Sequence, residues 1–470
     1  MASSAGLEGS DTLVRTATWG GSEPGKWERD HHRPVRVLFL AWGYSIHAVR
    51  RIRIFSEDPG FEVAVVSTHD YRIPGARTIL LSGKAEIAGP LAPDEAMAQS
   101  GTSRLLRRID RVLGRVKHLR RYVPALMRLG VADPRVLRMA LNSPVVLREL
   151  EIGCRDLVRI ESAIRAFRPD LVFPQTLLYP CYLANSLPAS IPRMITFWNG
   201  DVTWWAQWSG TERLIKKQIV ARGANRARAV TVNSEAARVA CLSYGVRPER
   251  VHVIRYPGVD RKRFTPSSRE DARSRLGIGA GHVVLCPRGV GGYLNSDVIV
   301  QAVPMILLRH PDTLFLFLSW AGTEEDRRDH RMQAEALGVG SNFRWEDHVP
   351  WESMPEYYNA ADVMVSISSL DSLPNCMLEA MACGIPVVMG DIPSIREWIA
   401  DGDNGFLVPL RDPTFLAATI AKIFEAPGET LEAMTSKGMD QVERDADGET
   451  NARRIKDLVR QVVGVPPAGI

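Results

Sequence analysis

Two acidic side chains, Asp371 and Glu379, stand on either side of a segment whose residue types suit the binding of a phosphorylated sugar. Pro374 and Asn375 predict the start of a helix, because proline loses no hydrogen bond in a first helical turn and asparagine can cap free backbone N–H groups. Gly384 predicts the end of that helix in a left-handed conformation. The exposed N-terminus of such a helix carries a positive dipole and unpaired N–H donors, which attract phosphate. Because the flanking carboxylates can accept hydrogen bonds from sugar hydroxyls, the segment predicts a nucleotide-sugar site.

A second group of candidate phosphate ligands follows the strand predicted at 282–286. A nucleotide-sugar carries a charged pyrophosphate, and the planar guanidinium of Arg288 can bind two phosphate oxygens at once. Gly289, Gly291 and Gly292 allow the backbone to approach phosphate closely. A glycine-rich loop could also be only a flexible turn, but its position after a strand and beside Arg288 favours contact with phosphate.

The hydrophobic patterns around these residues indicate a doubly wound α/β protein. A buried-type strand at 35–41 runs into a glycine-containing loop, a helix and a second strand at 61–67, which is the typical opening of such a domain. The other strands predicted in this half lie at 170–174, 193–197, 229–235 (which ends in a helix cap) and 251–254. A second α/β unit has predicted strands at 282–286, 313–319, 342–345, 363–366 and 386–389.

Length and turn residues divide the chain into four predicted parts. A chain of 470 residues suits two domains of ordinary size, and a Pro/Gly turn at 255–260 is the predicted linker. The first residues are rich in Ser, Gly and charge and lack an apolar core, so they do not resemble a signal peptide. The predicted parts are a disordered leader at 1–33, domains at 34–255 and 256–450, and a terminal part with the last helix at 451–470.

Composition excludes several classes of protein. Hydrophobic residues make up 45% and charged residues 24%, as in soluble globular proteins. No segment has the run of about 18 or more apolar residues that a membrane span needs. The six cysteines are scattered without the spacing of metal ligands, which predicts buried thiols in a reducing cytoplasm. No cluster of Asp and His predicts a metal site.

A basic stretch at 104–128 carries nine Lys or Arg residues and one acid, Asp110, with apolar residues near helical period. A basic amphipathic helix suits an anionic membrane surface or an acidic partner. The same pattern suits a helix that packs on the N-terminal domain and exposes its basic face. Binding of nucleic acid is disfavoured, because no aromatic residues interleave with the charges as a stacking platform.

The segment from Asp371 to Gly384 resembles the paired-glutamate signature of the family 4 retaining glycosyltransferases, in which two acids separated by seven residues precede an Ala-Met-Ala-Cys-Gly helix. The resemblance covers most of 35–463 and is strongest from 229 onward, through Asn233-Ser-Glu235, Tyr244-Gly-Val246, Pro257-Gly-Val-Asp260 and Asp401-Gly-Asp-Asn-Gly405. It implies the GT-B fold, in which two Rossmann-like domains face an interdomain cleft and the last helix crosses back to the N-terminal domain. It also implies metal-independent, retaining transfer of a hexose from a nucleotide diphosphate to a glycan, lipid-linked or small-molecule acceptor, in polysaccharide or glycoconjugate assembly.

The resemblance implies a role for each matched residue. Asp371 falls at the first acidic position, which holds the donor sugar, and Glu379 falls at the second, which binds the nucleotide ribose. Arg288 matches the arginine at the pyrophosphate, so it is both a donor-binding and a catalytic candidate. The other predicted donor contacts are Gly289, Tyr293, Ser372, and the backbone N–H groups of Leu373 and Asn375.

Three of these positions depart from the family pattern. Asp371 replaces the usual Glu, Ser372 replaces Gly, and Tyr293 replaces the Lys that normally follows the arginine by five residues. A subset of the family is similar in having Tyr-Asn after its glycine loop, which favours variation within active enzymes. The alternative is a non-catalytic GT-B protein that binds a nucleotide-sugar as a partner subunit or sensor.

Acceptor-side residues are predicted in the first half. Asp201 follows a strand and could orient the acceptor hydroxyl or only cap the next helix. His47 is similar to a loop histidine near the acceptor in the family, although a lone histidine is often structural. Trp198 stands where family members often carry His, and with Trp204, Trp205 and Trp208 it could stack on a sugar or pack the domain face. The region 72–155, which usually shapes the acceptor pocket, matches nothing specific.

Overall fold

The structure is a computed structural model and describes residues 33–41, 46–67, 70, 72–80, 160–175, 187, 190–198, 221–255, 257–279, 281–318, 322–347 and 349–465. The predicted leader lies outside these residues except for Arg33, and the basic stretch at 104–128 lies wholly outside them. Within the described ranges, no helix is both long enough and apolar enough to cross a bilayer.

The N-terminal half contains two groups of parallel strands. Its elements are β1 Val35–Ala41, α1 Ile46–Ser56, β2 Phe61–Ser67, β3 Ala76–Leu80, β4 Leu171–Pro174, β5 Met194–Thr196, β6 Ala229–Val232, α2 Glu235–Ser243 and β7 Val251–Val253, and residues 160–167 and 221–226 are also helical. The strand orders are β3-β2-β1-β4 and β5-β6-β7. A parallel bridge between Val172 and Arg193 joins the two groups. Most of these strands are apolar on both faces, as expected where a parallel sheet is covered on both sides.

The C-terminal half is a six-stranded parallel sheet with helices along it. Its strands are β8 His282–Cys286, β9 Thr313–Leu318, β10 Phe343–Glu346, β11 Val363–Ser366, β12 Val387–Gly390 and β13 Phe406–Val408. Its helices are α3 Arg269–Leu276, α4 Ser296–Leu307, α5 Glu324–Ala336, α6 Met354–Ala360, α7 Asn375–Ala382, α8 Pro393–Arg396, α9 Pro413–Glu425 and α10 Gly428–Ala446. The order β10-β9-β8-β11-β12-β13 reverses between β8 and β11, and ligands of such sheets bind at the carboxyl ends of the strands beside this reversal.

The predicted strands are present with their ends shifted by a few residues, and two further strands were missed. β3 is an edge strand in which no residue is fully buried, so its sequence has no apolar run. β13 has three residues, too few for an apolar pattern to be recognised in the sequence. Both are the outermost strands of their sheets. Such strands are paired on one side only, so their sequences carry a weaker hydrophobic pattern.

The last described helix, α11 Gly448–Val463, packs on the N-terminal half and begins three residues before the predicted start. Its apolar face lies in the core that β1 and α1 build, through Ile455, Leu458, Val459 and Val462. On its polar side, Lys456 donates a hydrogen bond to the Asp58 carboxylate at 2.8 Å. The helix therefore completes a core whose other members all come from the N-terminal half, between Val35 and Ile254.

The two crossings between the halves lie side by side. Val259, in the linker, pairs with Asp447 at the junction of α10 and α11, through Val259 N to Ala446 O at 2.8 Å and Gly448 N to Val259 O at 2.9 Å. Gly258 has a φ of 72°, and a Cβ atom there would clash with the Ala446 carbonyl oxygen. The linker needs glycine at this point for both reasons.

Replacing Gly258 with Ala should therefore destabilise the protein more than replacing Gly245, which has a similar φ of 74° but no neighbour within 4 Å of the added Cβ. We expect Gly245→Ala to lower the free energy of unfolding by about 1–2 kcal/mol through the left-handed conformation alone. Gly258→Ala should cost about 1–3 kcal/mol more, because the crossing must also shift. Urea unfolding of both variants measures the difference. Equal losses in the free energy of unfolding would show that the linker can shift to accommodate the added Cβ without cost.

Candidate functional site

The loop after β8 follows a path that glycine allows. Gly289, Gly291 and Gly292 have φ values of 87°, 89° and 53°, in the left-handed region that other residues avoid. Asn295, which precedes α4, is also left-handed at 52°. The segment 289–295 is called the glycine loop below, and the positive φ angles of its glycines set its backbone path.

The glycine loop is fastened to the loop that follows β11. The Ser369 backbone N–H and its hydroxyl donate to the Tyr293 carbonyl oxygen at 2.8 and 3.1 Å. The Asn295 side-chain amide donates to the Ile367 carbonyl oxygen at 2.9 Å. The two segments that carry the predicted donor ligands are therefore one hydrogen-bonded unit.

Arg288 and Asp371, predicted to hold the pyrophosphate and the sugar, form an ion pair with each other. Their side chains are 23% and 14% exposed, so both lie at the floor of the site. The Ser372 N–H donates to Asp371 Oδ1 at 3.0 Å, and the Ser394 hydroxyl donates to the Asp371 carbonyl oxygen at 2.6 Å. A ligand that contacts one member of the pair is therefore within reach of the other.

Helix α7 begins beside this pair, but its start differs from the prediction in one respect. Pro374 is the N-cap residue and Asn375 is the first helical residue, so the Asn375 side chain does not cap the helix. No side-chain hydrogen bond caps this end, and its dipole is directed at the ligand side without a neutralising cap. The predicted left-handed end is present, with a φ of 70° at Gly384.

Glu379 lies deeper than its sequence position suggested. We expected two acids at the exposed helix N-terminus, but Glu379 is in the second turn of α7 and is 6% exposed. Its Oε1 accepts a hydrogen bond from Trp351 Nε1 at 3.1 Å, and its Oε2 accepts one from the Tyr358 hydroxyl at 3.0 Å. Arg50 Nη1 is 3.9 Å from Oε1. Burial raises the pKa of Glu379, while the charge of Arg50 and the two hydrogen bonds oppose that rise.

Arg50 reaches this carboxylate from the other half of the molecule. It belongs to α1, and its guanidinium lies 4.4 Å from the centroid of the Trp351 ring. Arg263 lies 4.6 Å from the same centroid. Sequence reasoning missed Arg50, Trp351 and Tyr358. Trp351 lies a few residues after β10, a strand that the sequence predicted, whereas nothing near Arg50 in sequence points to a partner in the other half.

Other contacts also join the two halves near the site. The Glu397 carboxylate accepts hydrogen bonds from the Glu235 and Ala236 N–H groups at 2.8 and 2.7 Å, at the N-terminus of α2. The hydroxyl of Ser372, a predicted donor ligand, is 3.4 Å from that of Ser234. The loop that carries Asp371 is therefore in contact with the predicted acceptor side.

The remaining predicted residues have different outcomes. Leu373 packs against the core of the C-terminal half, and Tyr293 is 38% exposed at the end of the glycine loop. Asp201 and three of the four tryptophans lie outside the described residues, and His47 is in α1 without a described side chain. Trp198 donates a hydrogen bond from its indole N–H to the Gln175 carbonyl oxygen and lies 4.8 Å from the guanidinium of the buried Arg51.

Comparison with protein families identifies the chain. The model described as Glycosyl transferases group 1 matches residues 283–426, and the model described as Glycosyltransferase Family 4 matches residues 114–263. Together the two matches span more than half of the 470 residues. The chain belongs to the family 4 glycosyltransferases.

Several curated relatives share one name. D-inositol 3-phosphate glycosyltransferase of Geodermatophilus obscurus is 36% identical over 219 residues, which are 45% of this chain and 48% of the relative. The protein of the same name from Kribbella flavida is 32% identical over 230 residues, 47% of this chain and 53% of the relative. The chain spans about half the length of the curated relatives that it matches.

Solved structures show the fold. Anabaena HepE in complex with UDP and glucose matches with a TM-score of 0.65 and 16% identity, covering 91% of this chain and 100% of that chain. Sucrose-phosphate synthase of Thermosynechococcus elongatus matches with a TM-score of 0.65 and 16% identity, covering 92% and 99%. These likenesses confirm the predicted fold class, a GT-B protein with two Rossmann-like units.

The buried carboxylate of Glu379 yields a prediction about pH. Its raised pKa means that the folded protein binds this proton more tightly than the unfolded chain, so its contribution to stability falls as the pH rises above its ordinary pKa of 4.5. Glu379→Gln removes that titration. We therefore expect the stability of the variant relative to wild type to increase between about pH 4 and pH 8.

Urea unfolding across this pH range measures the effect. Glu429→Gln, which removes an exposed acid at the start of α10, is the matched control. A difference between Glu379→Gln and wild type that stays constant with pH would contradict the prediction.

Proposed function

We propose that this protein transfers a hexose-type sugar from a nucleotide-diphosphate donor to an acceptor hydroxyl, with retention at the anomeric carbon and without a metal ion. The observation that carries the proposal is the convergence of Arg288, the glycine loop, the uncapped start of α7 and Asp371 at the reversal of strand order. A guanidinium, a glycine backbone that allows close approach and a helix dipole suit a diphosphate. A carboxylate beside them suits the hydroxyls of the attached sugar.

Each residue then has a chemical task. Arg288 and the α7 dipole neutralise the charge that develops on the departing diphosphate, which is the larger part of the barrier in such transfers. Asp371 accepts hydrogen bonds from the sugar and fixes its orientation. Glu379, held by Trp351, Tyr358 and Arg50, accepts hydrogen bonds from the ribose through its remaining lone pairs. Asp201 and His47 remain the proposed acceptor-side residues.

Names of similar proteins guide the choice of substrates to test. Anabaena HepE was crystallised with UDP-glucose, so UDP-sugars are the first donors to try. The curated relatives are named for transfer to inositol 3-phosphate, which makes phosphorylated polyols the first small-molecule acceptors. Glycans and lipid-linked sugars follow from the family's role in polysaccharide and glycoconjugate assembly. We place the enzyme in the cytoplasm.

The second candidate function is binding of a nucleotide-sugar without transfer. Tyr293 in place of lysine leaves one fewer cation at the diphosphate, and in this structure the charge of Arg288 is already paired with Asp371. Release of free nucleotide from a donor distinguishes the two functions, because a binding protein releases none.

The first experiment is thermal stabilisation by UDP-, GDP-, ADP- and TDP-sugars, followed by a nucleotide-release assay with the best binder. We expect Arg288→Ala to lower kcat about 10²–10³-fold, by analogy with the loss of one donor to a developing anion. The matched control is Arg309→Ala, since Arg309 is 63% exposed and pairs with Glu425 at 2.6 Å. A kcat equal to that of wild type in Arg288→Ala would show that Arg288 does not stabilise the departing diphosphate.

The basic stretch at 104–128 is proposed to hold the enzyme on an anionic membrane surface. Replacing Arg107, Arg108, Arg111 and Arg115 with Gln should release the protein from vesicles that contain phosphatidylglycerol, because each cation near such a surface contributes about 1 kcal/mol. Donor hydrolysis in solution should be unchanged. Vesicle binding is measured by co-sedimentation. Unchanged binding would contradict the membrane proposal and favour the alternative, a helix that packs on the N-terminal domain.

A further inference from the structure

A buried chain of polar groups lies directly behind the glycine loop. Ser296, the first residue of α4, is 2% exposed, and its hydroxyl oxygen accepts a hydrogen bond from the Gly291 N–H at 2.9 Å. His330, in α5, is 8% exposed, and its Nε2 is 2.8 Å from the same hydroxyl. His330 Nδ1 is 2.7 Å from the carbonyl oxygen of Asp326. The chain thus runs from the glycine loop to a helix that sequence reasoning did not connect with the site.

The chemistry of these groups fixes the direction of the hydrogen bond to Asp326 and, with a neutral histidine ring, the directions of the other two. A carbonyl oxygen can only accept, so His330 Nδ1 carries the proton and donates it to Asp326. In the neutral ring Nε2 is then the acceptor, and the Ser296 hydroxyl donates to it. That leaves the lone pairs of the hydroxyl oxygen for the Gly291 N–H. Every member of this chain, called the Ser296–His330 clamp below, is satisfied in one arrangement.

The support behind the clamp is rigid. A Cβ atom at Gly291 would clash with the carboxylate of Asp326, so the loop packs directly against the first turn of α5. That turn is fixed by a capping box, in which Thr323 N donates to Asp326 Oδ2 at 2.7 Å and Asp326 N donates to Thr323 Oγ1 at 3.1 Å. The glycine loop is therefore held by α5 from behind and by Ser369 from the side.

A serine next to a histidine also suggests a nucleophile, but the surroundings contradict that function here. The Ser296 hydroxyl is buried and is occupied by a backbone N–H. The space behind Arg288 and Gly289, which Ser296 lines, is a cavity of about 10 Å³, room for no more than one water molecule. No substrate reaches this hydroxyl, so Ser296 and His330 act on the loop and not on a ligand.

We infer that Ser296 and His330 are positioning residues that preorganise the glycine loop for the donor diphosphate. In the clamp the Gly291 N–H is bonded to Ser296, and the positive φ angles of the loop are held before any ligand arrives. Ligand binding therefore does not have to order the loop. This inference rests on the proposed function for the identity of the ligand. That the clamp orders the loop is a separate claim and is tested without a ligand.

The experiment compares Ser296→Ala, His330→Leu and His330→Gln in the full chain. The Gln side chain places an amide oxygen near the position of Nε2, so it can still accept from Ser296, whereas Leu cannot. His310→Leu, at the far end of the same sheet where His310 bonds Glu425 at 3.2 Å, is the matched control. Thermal unfolding of each variant establishes that it is folded, and Ser296→Ala removes only one oxygen atom.

The first measurement is hydrogen–deuterium exchange of the backbone at 288–295 in the protein without ligand. Ser296→Ala and His330→Leu should exchange about tenfold faster there than wild type, because the segment opens more readily. His330→Gln should restore most of the protection, and His310→Leu should match wild type. Wild-type exchange in both clamp variants, or equal loss in His330→Gln and His330→Leu, would overturn the inference.

The second measurement is donor kinetics with UDP-glucose. The clamp variants should raise the donor KM about tenfold with little change in kcat, because a preorganised loop serves ground state and transition state alike. A fall in kcat with an unchanged KM would overturn this part. If wild type binds no nucleotide-sugar, the proposed function fails, while the exchange data still decide whether the clamp orders the loop.

Discussion

The reversal of strand order between β8 and β11 is the constraint on which the site depends. The connection from β8 runs to β9 on one side, and the connection from β11 runs to β12 on the other side. Because these connections diverge, the carboxyl ends of β8 and β11 are left open. The glycine loop and the loop with Asp371 therefore emerge next to each other, although about 80 residues separate them in the chain. Their mutual hydrogen bonds and the ion pair of Arg288 with Asp371 follow from that adjacency.

A second constraint is the cost of a buried charge. Glu379 sits among apolar residues of α7, and an unpaired carboxylate there would destabilise the fold. Its partners come from three separate elements: hydrogen bonds from Trp351 before α6 and Tyr358 within it, and the charge of Arg50 from the other half. Because one of the three crosses the cleft, the electrostatic state of the predicted ribose ligand depends on how the halves are placed. A site of this kind links donor recognition to the arrangement of the whole molecule.

Local patterns were enough to predict most of the fold and the first contacts of the site. Apolar runs located the long strands, glycine and proline marked the turns, and the acidic pair with its helix located the loop after β11. The depth of Glu379 was not predictable, because burial depends on α6 and α1 packing over it. The Ser296–His330 clamp was equally hidden, since its parts lie on two helices that meet only in the folded sheet. Sequence shows which groups are near a strand end, and it does not show which distant groups hold them there.

The position of α11 has a consequence for the order of synthesis. Ile455, Leu458 and Val459 fill a core whose first walls, β1 and α1, are made more than 390 residues earlier. On the ribosome, the first Rossmann-like unit therefore waits with an uncovered apolar groove while the second is translated and can fold. Only when α11 emerges is that groove closed. The first half is thus the last to be completed, and its apolar groove is exposed surface that favours aggregation during that interval.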